Sequence, residues 1–460
     1  MKRSWIAFLL FALLLSVFVG CADNGTTEDT SGIGESDSEA VESGGTESSE
    51  ADESTDEPST DSLFAEVVEL KNGKMYCIDT AEQLFAFADA VNSKKYDFEG
   101  DVVLLRKDIE LNPTDSIDDW AENPPEKVWT PIGSKAFPFK GSFIGGEVDK
   151  TLGYIQGNKS INGIYCPQSK SGAGLFGYIE SAEIGYITLG KGLILGPEEG
   201  KFGDSAAFAV EAENSTLHAC RNYADVYGTS ASGIVGTSRR TELRYCNNYG
   251  VVNGRDAGGI VMSNEGSTIR GCLNKGEITA TRFAGGILAH GSGYGASVIA
   301  SCANHGNIAS EQVAGGIVGF LWEEQSLMTV LDVINLGSVT VNSNTSGDGE
   351  GDSAGGIIGN VTAVTIDGLG DFYLKGAVNL GKVGGNVQCG AITGNEPKKA
   401  DPTKYVDCYY LDTTVSGSVI GRAVAEGELD SEKTFKPLID NCDWWIDESL
   451  GHIYIVHYFE

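Results

Sequence analysis

Histidine, cysteine and paired carboxylates are the residues of this 460-residue chain from which catalytic chemistry would be read first. Its five histidines, His218, His290, His305, His452 and His457, never stand in the His-Glu-x-x-His frame that would place two imidazoles around zinc with a glutamate as base. Gly-x-Ser-x-Gly, a phosphate loop and Cys-x-x-Cys are likewise missing from the sequence. A polysaccharide lyase or glycoside hydrolase would need converging carboxylates, or a base with cationic partners. Its candidates are Arg239, Arg240, Arg255, Asp256, Arg282, Glu323 and Glu324, which read more plainly as a solvated, scattered face. Asp348, Glu350 and Asp352 alternate through a glycine-rich stretch and could present oxygens to Ca²⁺, but Ser353 replaces the glycine of an EF-hand loop. No cofactor is expected. His290, Tyr294, Trp322, Glu323 and Glu324 form the ligand-binding candidate: rings able to stack on a sugar or a partner's side chain, with acceptors to orient it. Packing against neighbouring loops is the competing fate of those rings.

The elements that would position these residues repeat. An aliphatic residue, Cys, Asn, Gly and Val or Ile recur at fixed offsets in LHACRNYADV (217–226), LRYCNNYGVV (243–252), IRGCLNKGEI (269–278) and IASCANHGNI (299–308), with altered copies VLDVINLGSV (330–339) and LKGAVNLGKV (374–383). The asparagines are Asn222, Asn248, Asn274, Asn304, Asn335 and Asn379, spaced by 26, 26, 30, 31 and 44 residues. A second element, SGIVG, GGIVM, GGILA, GGIVG and GGIIG, keeps step from residue 232 to 359. Units of this length, with short β-branched runs and glycine corners, predict an all-β solenoid whose coils bury only against one another. Like residues then stack ~4.8 Å apart. Cys220, Cys246, Cys272 and Cys302 are expected as free, buried core fillers, and the asparagines as a hydrogen-bonded structural ladder with glycines allowing a positive φ or close approach beside it.

Other segments complete the pattern: CIDTAEQLFAFADAVNS (77–93), DIEL (108–111), WTPIG (129–133), FKGSFIGG (139–146), GLFG (174–177) and CYYLDTT (408–414). In this order they resemble the GLUG-motif repeats of bacterial surface proteins, also found beside the catalytic domains of IgA-cleaving metallopeptidases. The resemblance implies a right-handed parallel β-helix on the cell surface, without the peptidase domain. Thr80 and Gln83 have capping-box spacing, so 80–92 is expected to be an amphipathic helical cap, and the aromatic-rich 444–459 a strand-rich C-terminal cap.

Lys2 and Arg3 precede an apolar run from Trp5 to Val19, too short to span a bilayer. Phe18-Val19-Gly20-Cys21 then resembles a lipobox, with phenylalanine where leucine is usual. Residues 1–20 are therefore expected to be a lipoprotein signal peptide, with Cys21 lipidated and the protein anchored outside the cytoplasm on a bacterial surface. Residues 22–61 hold fourteen acidic side chains and no Lys or Arg, so 21–62 is expected to be a disordered tether, roughly 35 Å end to end or longer. Beyond it follow an N-terminal cap (63–112), the repeat β-helix (113–410) and a C-terminal cap (411–460). The formal charge of −33 disfavours nucleic acid as a partner. The sequence thus points to a monomeric, non-enzymatic adhesion or binding module for a glycan or a host or cell-surface protein. A β-helix polysaccharidase and a structural spacer are the alternatives. Loops lengthen to AHGSGYGAS and FLWEEQSLM within 286–325, where a ligand is expected.

Growth on a labelled fatty acid should tag the wild-type protein, and Cys21→Ser should abolish the tag and release the protein into the soluble fraction; an untagged wild type refutes the anchor.

Overall fold

A computed structural model describes residues 60–460 apart from 150–153, 168–171, 197–202, 292–294, 323–325, 345–350, 363–371, 396–402, 416–417, 419, 442–443, 448–451 and 456–460. It is a parallel β-solenoid of about ten turns. Three sheets of 21, 12 and 7 strands run along its sides, and the central coils contribute to all three. One coil, for example, comprises Thr216–His218 and Arg221–Asn222, then Asp225–Ser232, then Val235–Arg239. Every strand of that coil pairs in parallel with its equivalent 26 residues on, so Leu217 lies beside Leu243, Asn222 beside Asn248 and Val235 beside Val261.

The interior is a set of columns of like residues. Leu217, Leu243, Ile269, Ile299, Val330 and Leu374 form one, and Cys220, Cys246, Cys272, Cys302, Val333 and Ala377 another, all fully buried. All eight described cysteines are free. Each ladder thiol donates weakly to a carbonyl of the preceding coil, as Cys246 does to Leu217 at 3.5 Å and Cys302 to Ile269 at 3.7 Å. Burial pushes the Cys220 and Cys272 thiols well above their ordinary range, which keeps them unreactive.

The six asparagines are completely buried and linked head to tail. Each Nδ2 donates at 2.8 Å to Oδ1 of the next, from Asn222 through Asn248, Asn274, Asn304 and Asn335 to Asn379. The second hydrogen of Asn274 Nδ2 goes to its own corner, the carbonyl of Gly276, at 2.9 Å. Glycine columns enclose this ladder. A Cβ at Gly276 would lie 2.0 Å from the Gly250 carbonyl oxygen, and one at Gly259 2.0 Å from that of Gly286 and 2.6 Å from the Asn274 amide carbon. These glycines serve close approach; positive φ is found elsewhere. The residue before each ladder cysteine or its equivalent makes the left-handed bend: Ala219, Tyr245, Gly271, Ser301, Asp332, Gly376 and Asp407, with φ between 51° and 70°. Three of these five non-glycine residues, Ala219, Tyr245 and Ser301, are of types for which this conformation has a steric cost, accepted because the pairing above and below dictates the turn.

The N-terminal end of the stack is closed by a helix and a hairpin. α1 (Ala81–Asn92) begins at a true capping box, Gln83 N–H donating to Thr80 Oγ1 at 3.3 Å while Gln83 Oε1 accepts from the Asp79 and Thr80 amides. Its buried face carries Leu84, Phe87, Ala88 and Val91, and Phe87 stacks on Phe143 at 5.6 Å. The acidic strand Glu66–Glu69 pairs antiparallel with Lys74–Ile78 and so terminates the parallel ladder with charge. The expected C-terminal cap takes another place: the hairpin Trp444–Asp447/His452–Ile455 and α2 (Lys436–Asn441) pack along the flank of the stack. Phe435, Leu438, Trp444 and Ile453 cover Leu273, Ala303, Ile334 and Val378, one residue from each of four successive coils. No described helix is long and apolar enough to cross a membrane.

Asn274→Ala should cost roughly 1–3 kcal/mol for each group left unpaired, whereas exposed Asn253→Ala in the preceding coil should cost little. Equal thermal shifts of the two variants would contradict a stabilising ladder.

Candidate functional site

Six strands around one outer corner bring the candidate residues together: β1 (Val252–Gly258), β2 (Val261–Glu265), β3 (Ile278–Gly285), β4 (Leu288–Gly291), β5 (Val313–Gly315) and β6 (Val318–Trp322). Within each coil a Gly-Gly-Ile corner joins one strand to the next. Its first glycine must be bare, because a Cβ at Gly258 would lie 1.9 Å from the Val261 oxygen and one at Gly285 1.8 Å from that of Leu288. The two strands therefore meet closely, and outward side chains on either side of the bend reach one another.

β3 is one residue longer than β1. The register runs Gly254 with Ala280, then skips to Asp256 with Phe283, leaving Thr281 and Arg282 opposite Arg255 alone. This β-bulge re-aims a side chain. Arg282 takes Asp256 in a two-pronged grip, Nε to Oδ1 at 2.7 Å and Nη2 to Oδ2 at 2.5 Å, while Arg255 Nη2 reaches Oδ2 at 3.2 Å. Asp256 is only 1% exposed. The sequence-based expectation of a scattered, solvated residue does not describe it: the extra residue in the next coil supplies the cation that makes its burial tolerable.

Across the corner, β4 sets His290 in register with Phe320 of β6. Phe283 stacks on Phe320 at 4.6 Å, Trp322 packs on Phe320 at 4.6 Å, and His290 stands edge-on to Trp322 at 5.2 Å. The Arg282 guanidinium lies 4.3 Å from the centre of the Phe283 ring. Phe283, Phe320 and Val313 are buried in this outer cluster, and Trp322 keeps partial exposure at its edge. His290 is partly exposed as a residue, yet its Nδ1 is buried and without a hydrogen-bond partner; the same is true of Arg255 Nε. Burial pulls the His290 imidazole from its ordinary 6.5 down to about 4; Asp256 opposes the shift and Arg282 and Arg255 add to it. It is neutral at pH 7.

The corner changes character along the stack. Earlier in it, Asp204 lies two register steps from Asp256 through Ser230. Its carboxyl is raised by burial and accepts from Thr237 Oγ1 at 3.2 Å. Arg239 there bridges Glu211 at 2.6 Å and Glu265 at 3.0 Å, and Arg240 binds Glu213. Later in the stack, Asn395 Nδ2 donates to Asn360 Oδ1 at 2.8 Å. A separate polar cavity of about 480 Å³ lies at another bend, lined by residues that include Thr216, Arg240, Glu242, Thr268 and Arg270.

Of the ligand-binding candidates, His290 and Trp322 are thus in contact, whereas Tyr294, Glu323 and Glu324 lie outside the described residues. So do Asp348 and Glu350 of the calcium candidate; Asp352 accepts from Ser343 Oγ at 2.5 Å. No group of three potential metal ligands occurs among the described residues. Sequence reasoning missed Phe283 and Phe320 and the pairing of Arg282 with Asp256. One signal was available: seven residues form Val252–Gly258 and eight form Ile278–Gly285 between matching landmarks.

As the pH falls, an unfolded His290 takes its proton near 6.5 and the folded one only near 4, so stability is lost across that window, by up to about 3 kcal/mol. Wild type should accordingly lose more stability between pH 6.5 and 4 than His290→Phe; identical pH profiles would contradict a buried neutral imidazole.

No family model matches the chain, and no curated protein matches it. Among solved structures it is similar to a Bacteroides ovatus protein provisionally described as an immunoglobulin A1 protease, at 16% identity and a TM-score of 0.46, over 85% of this chain and 95% of that one. It is also similar to a structure described as IgA1 protease, at 16% identity and a TM-score of 0.45, over 77% of this chain and 23% of that one. At such identity the likeness concerns fold, and no residue's role is taken from it.

Proposed function

We propose that this chain is a non-enzymatic surface module, held outside the cytoplasm by lipid on Cys21, that binds glycan at the outer corner built by β1 to β6. The observation that carries the reading is the cluster of Phe283, His290, Phe320 and Trp322 on the outside of the stack, beside a charged pair. A solenoid holds itself together through its interior columns, so aromatic rings gathered outside them call for a separate reason. A partly exposed indole next to fixed hydrogen-bonding groups is the usual make-up of a sugar-binding surface, the ring covering the apolar face of a pyranose.

The binding reading is preferred to hydrolysis because Asp256, the carboxylate beside the rings among the described residues, has both oxygens engaged by Arg282. A general acid or base needs a free oxygen within reach of the substrate. The hydrolase alternative draws support from Asp204, whose carboxyl is raised by burial as that of a general acid must be.

One experiment separates the readings. A glycan screen with the wild type and with a Tyr294→Ala/Trp322→Ala double variant should show binding that weakens at least tenfold in the variant, about 1.4 kcal/mol, with the glycan recovered intact. Full-strength binding by the variant would move the site elsewhere. New reducing ends without unsaturated uronates, lost in Asp204→Asn, would establish the hydrolase, and unsaturated uronates would establish a lyase.

A further inference from the structure

We infer that this corner contains a carboxylate-recognition site, formed by Arg255, Arg282 and His290 around Asp256, that takes a terminal acidic sugar. The inference rests on the glycan-binding reading and names the class of sugar.

The first support is the local charge balance. Among the described residues, two guanidiniums meet one buried carboxylate here, an excess of positive charge in a chain of formal charge −33. Elsewhere among the described residues, the arginines that form ion pairs are matched or outnumbered by acids: Arg239 is shared by Glu211 and Glu265, and Arg106 by Asp79 and Glu66. At this corner the ratio reverses.

The second support is a pair of unmet hydrogen-bonding groups. Among the described residues, Arg255 Nε and His290 Nδ1 are both buried without a partner. A continuous run of contacts joins the two residues: Arg255 and Arg282 both hold Asp256, Arg282 lies over Phe283, and the Phe283 ring stands 6.1 Å from the His290 imidazole. Leaving such groups unsatisfied is unfavourable, so a polar guest that bonds to both is favoured. Arg255 Nε–H requires an acceptor. Neutral His290 can present Nδ1 as a donor to a second carboxylate oxygen, or as an acceptor to a hydroxyl on the neighbouring carbon. A carboxylate on a hydroxylated ring satisfies both.

The two arginines are held differently. Arg282 is fixed by two short bonds to Asp256 and by its place over Phe283. Arg255 is held by a single 3.2 Å bond and its side chain is 41% exposed, so it can turn toward a ligand without dismantling the corner. Trp322, at the edge of the same cluster, offers a surface for the sugar ring. The acidity of the whole chain favours a single terminal acidic residue over a polyanionic polymer, because charges beyond about 8 Å are screened while a long polyanion would be repelled along its full length.

The test is titration calorimetry on the full chain with four probes: the methyl glycosides of N-acetylneuraminic acid, its methyl ester, glucuronic acid and galactose. At least one acidic glycoside should bind. Esterifying N-acetylneuraminic acid, where that is the binder, or replacing Arg255 with Ala, should each weaken binding roughly tenfold, with the thermal midpoint of Arg255→Ala near that of wild type. The ester comparison uses wild-type protein alone and so holds even if a variant folds poorly. Acid, ester and neutral sugar bound equally, with Trp322→Ala still abolishing all three, would overturn the carboxylate site and leave the glycan module standing. Binding of the acidic sugar unchanged by Arg255→Ala would also overturn it. No binding of any sugar here or in the glycan screen would remove both.

Discussion

The structure depends on how closely one coil can lie on the next at the asparagine corner. Asn222 to Asn379 bond amide to amide at 2.8 Å, and this chain of contacts exists only because the adjoining backbone carries no side chain. A Cβ on Gly306 or Gly337 would come within 1.8 or 1.9 Å of a carbonyl oxygen of the coil before it. Larger residues would separate the coils at this point, and the paired strands on every side would lose their register. The asparagine supplies what the bare corner lacks, donating one hydrogen to its own coil and one to the next and accepting one in return. Buried polar networks of this kind are stabilising only when complete.

Fixed register in turn decides where variation can go. A residue added to a strand cannot be absorbed inside a column without moving every column after it, so it is expelled as a bulge. At Arg282 the expelled residue points outward and meets Asp256 of the preceding coil. The outer cluster of rings follows from the same rule, since His290, Phe320 and Phe283 occupy positions that hold Ser263, His290 and Asp256 one coil earlier. The site is thus made by local change on a repeating frame, which leaves the interior untouched.

Charge is also organised by the stack. Arg239 reaches acids in the coils before and after its own, and His218 bonds Glu183 of the preceding coil at 2.9 Å. Exposed pairs of this type contribute at most about 1 kcal/mol each. They do, however, relieve repulsion in an acidic body whose like residues would otherwise stack like charges. The corner around Asp256 stands apart because its acid is buried and its arginines are in excess.

The sequence alone was enough to determine the repeating unit, the all-β solenoid, the asparagine and cysteine columns and the helical cap, because each is written as periodicity or as local capping chemistry. Stacking turns a period into a column without further information. His290 and Trp322 were also legible as aromatic departures from an otherwise small and polar position. What only the tertiary structure decided is which departures meet. Asp256 and Arg282 are separated by 26 residues and become partners through one extra residue in a strand. Phe283 and Phe320 look like ordinary strand residues until the close Gly-Gly-Ile corner folds one sheet's edge onto the next. The placement of the C-terminal hairpin along the flank was likewise beyond the pattern, since it follows from an apolar row formed by one residue in each of four coils. Such a surface belongs to no local segment, and it exists only after the coils are stacked.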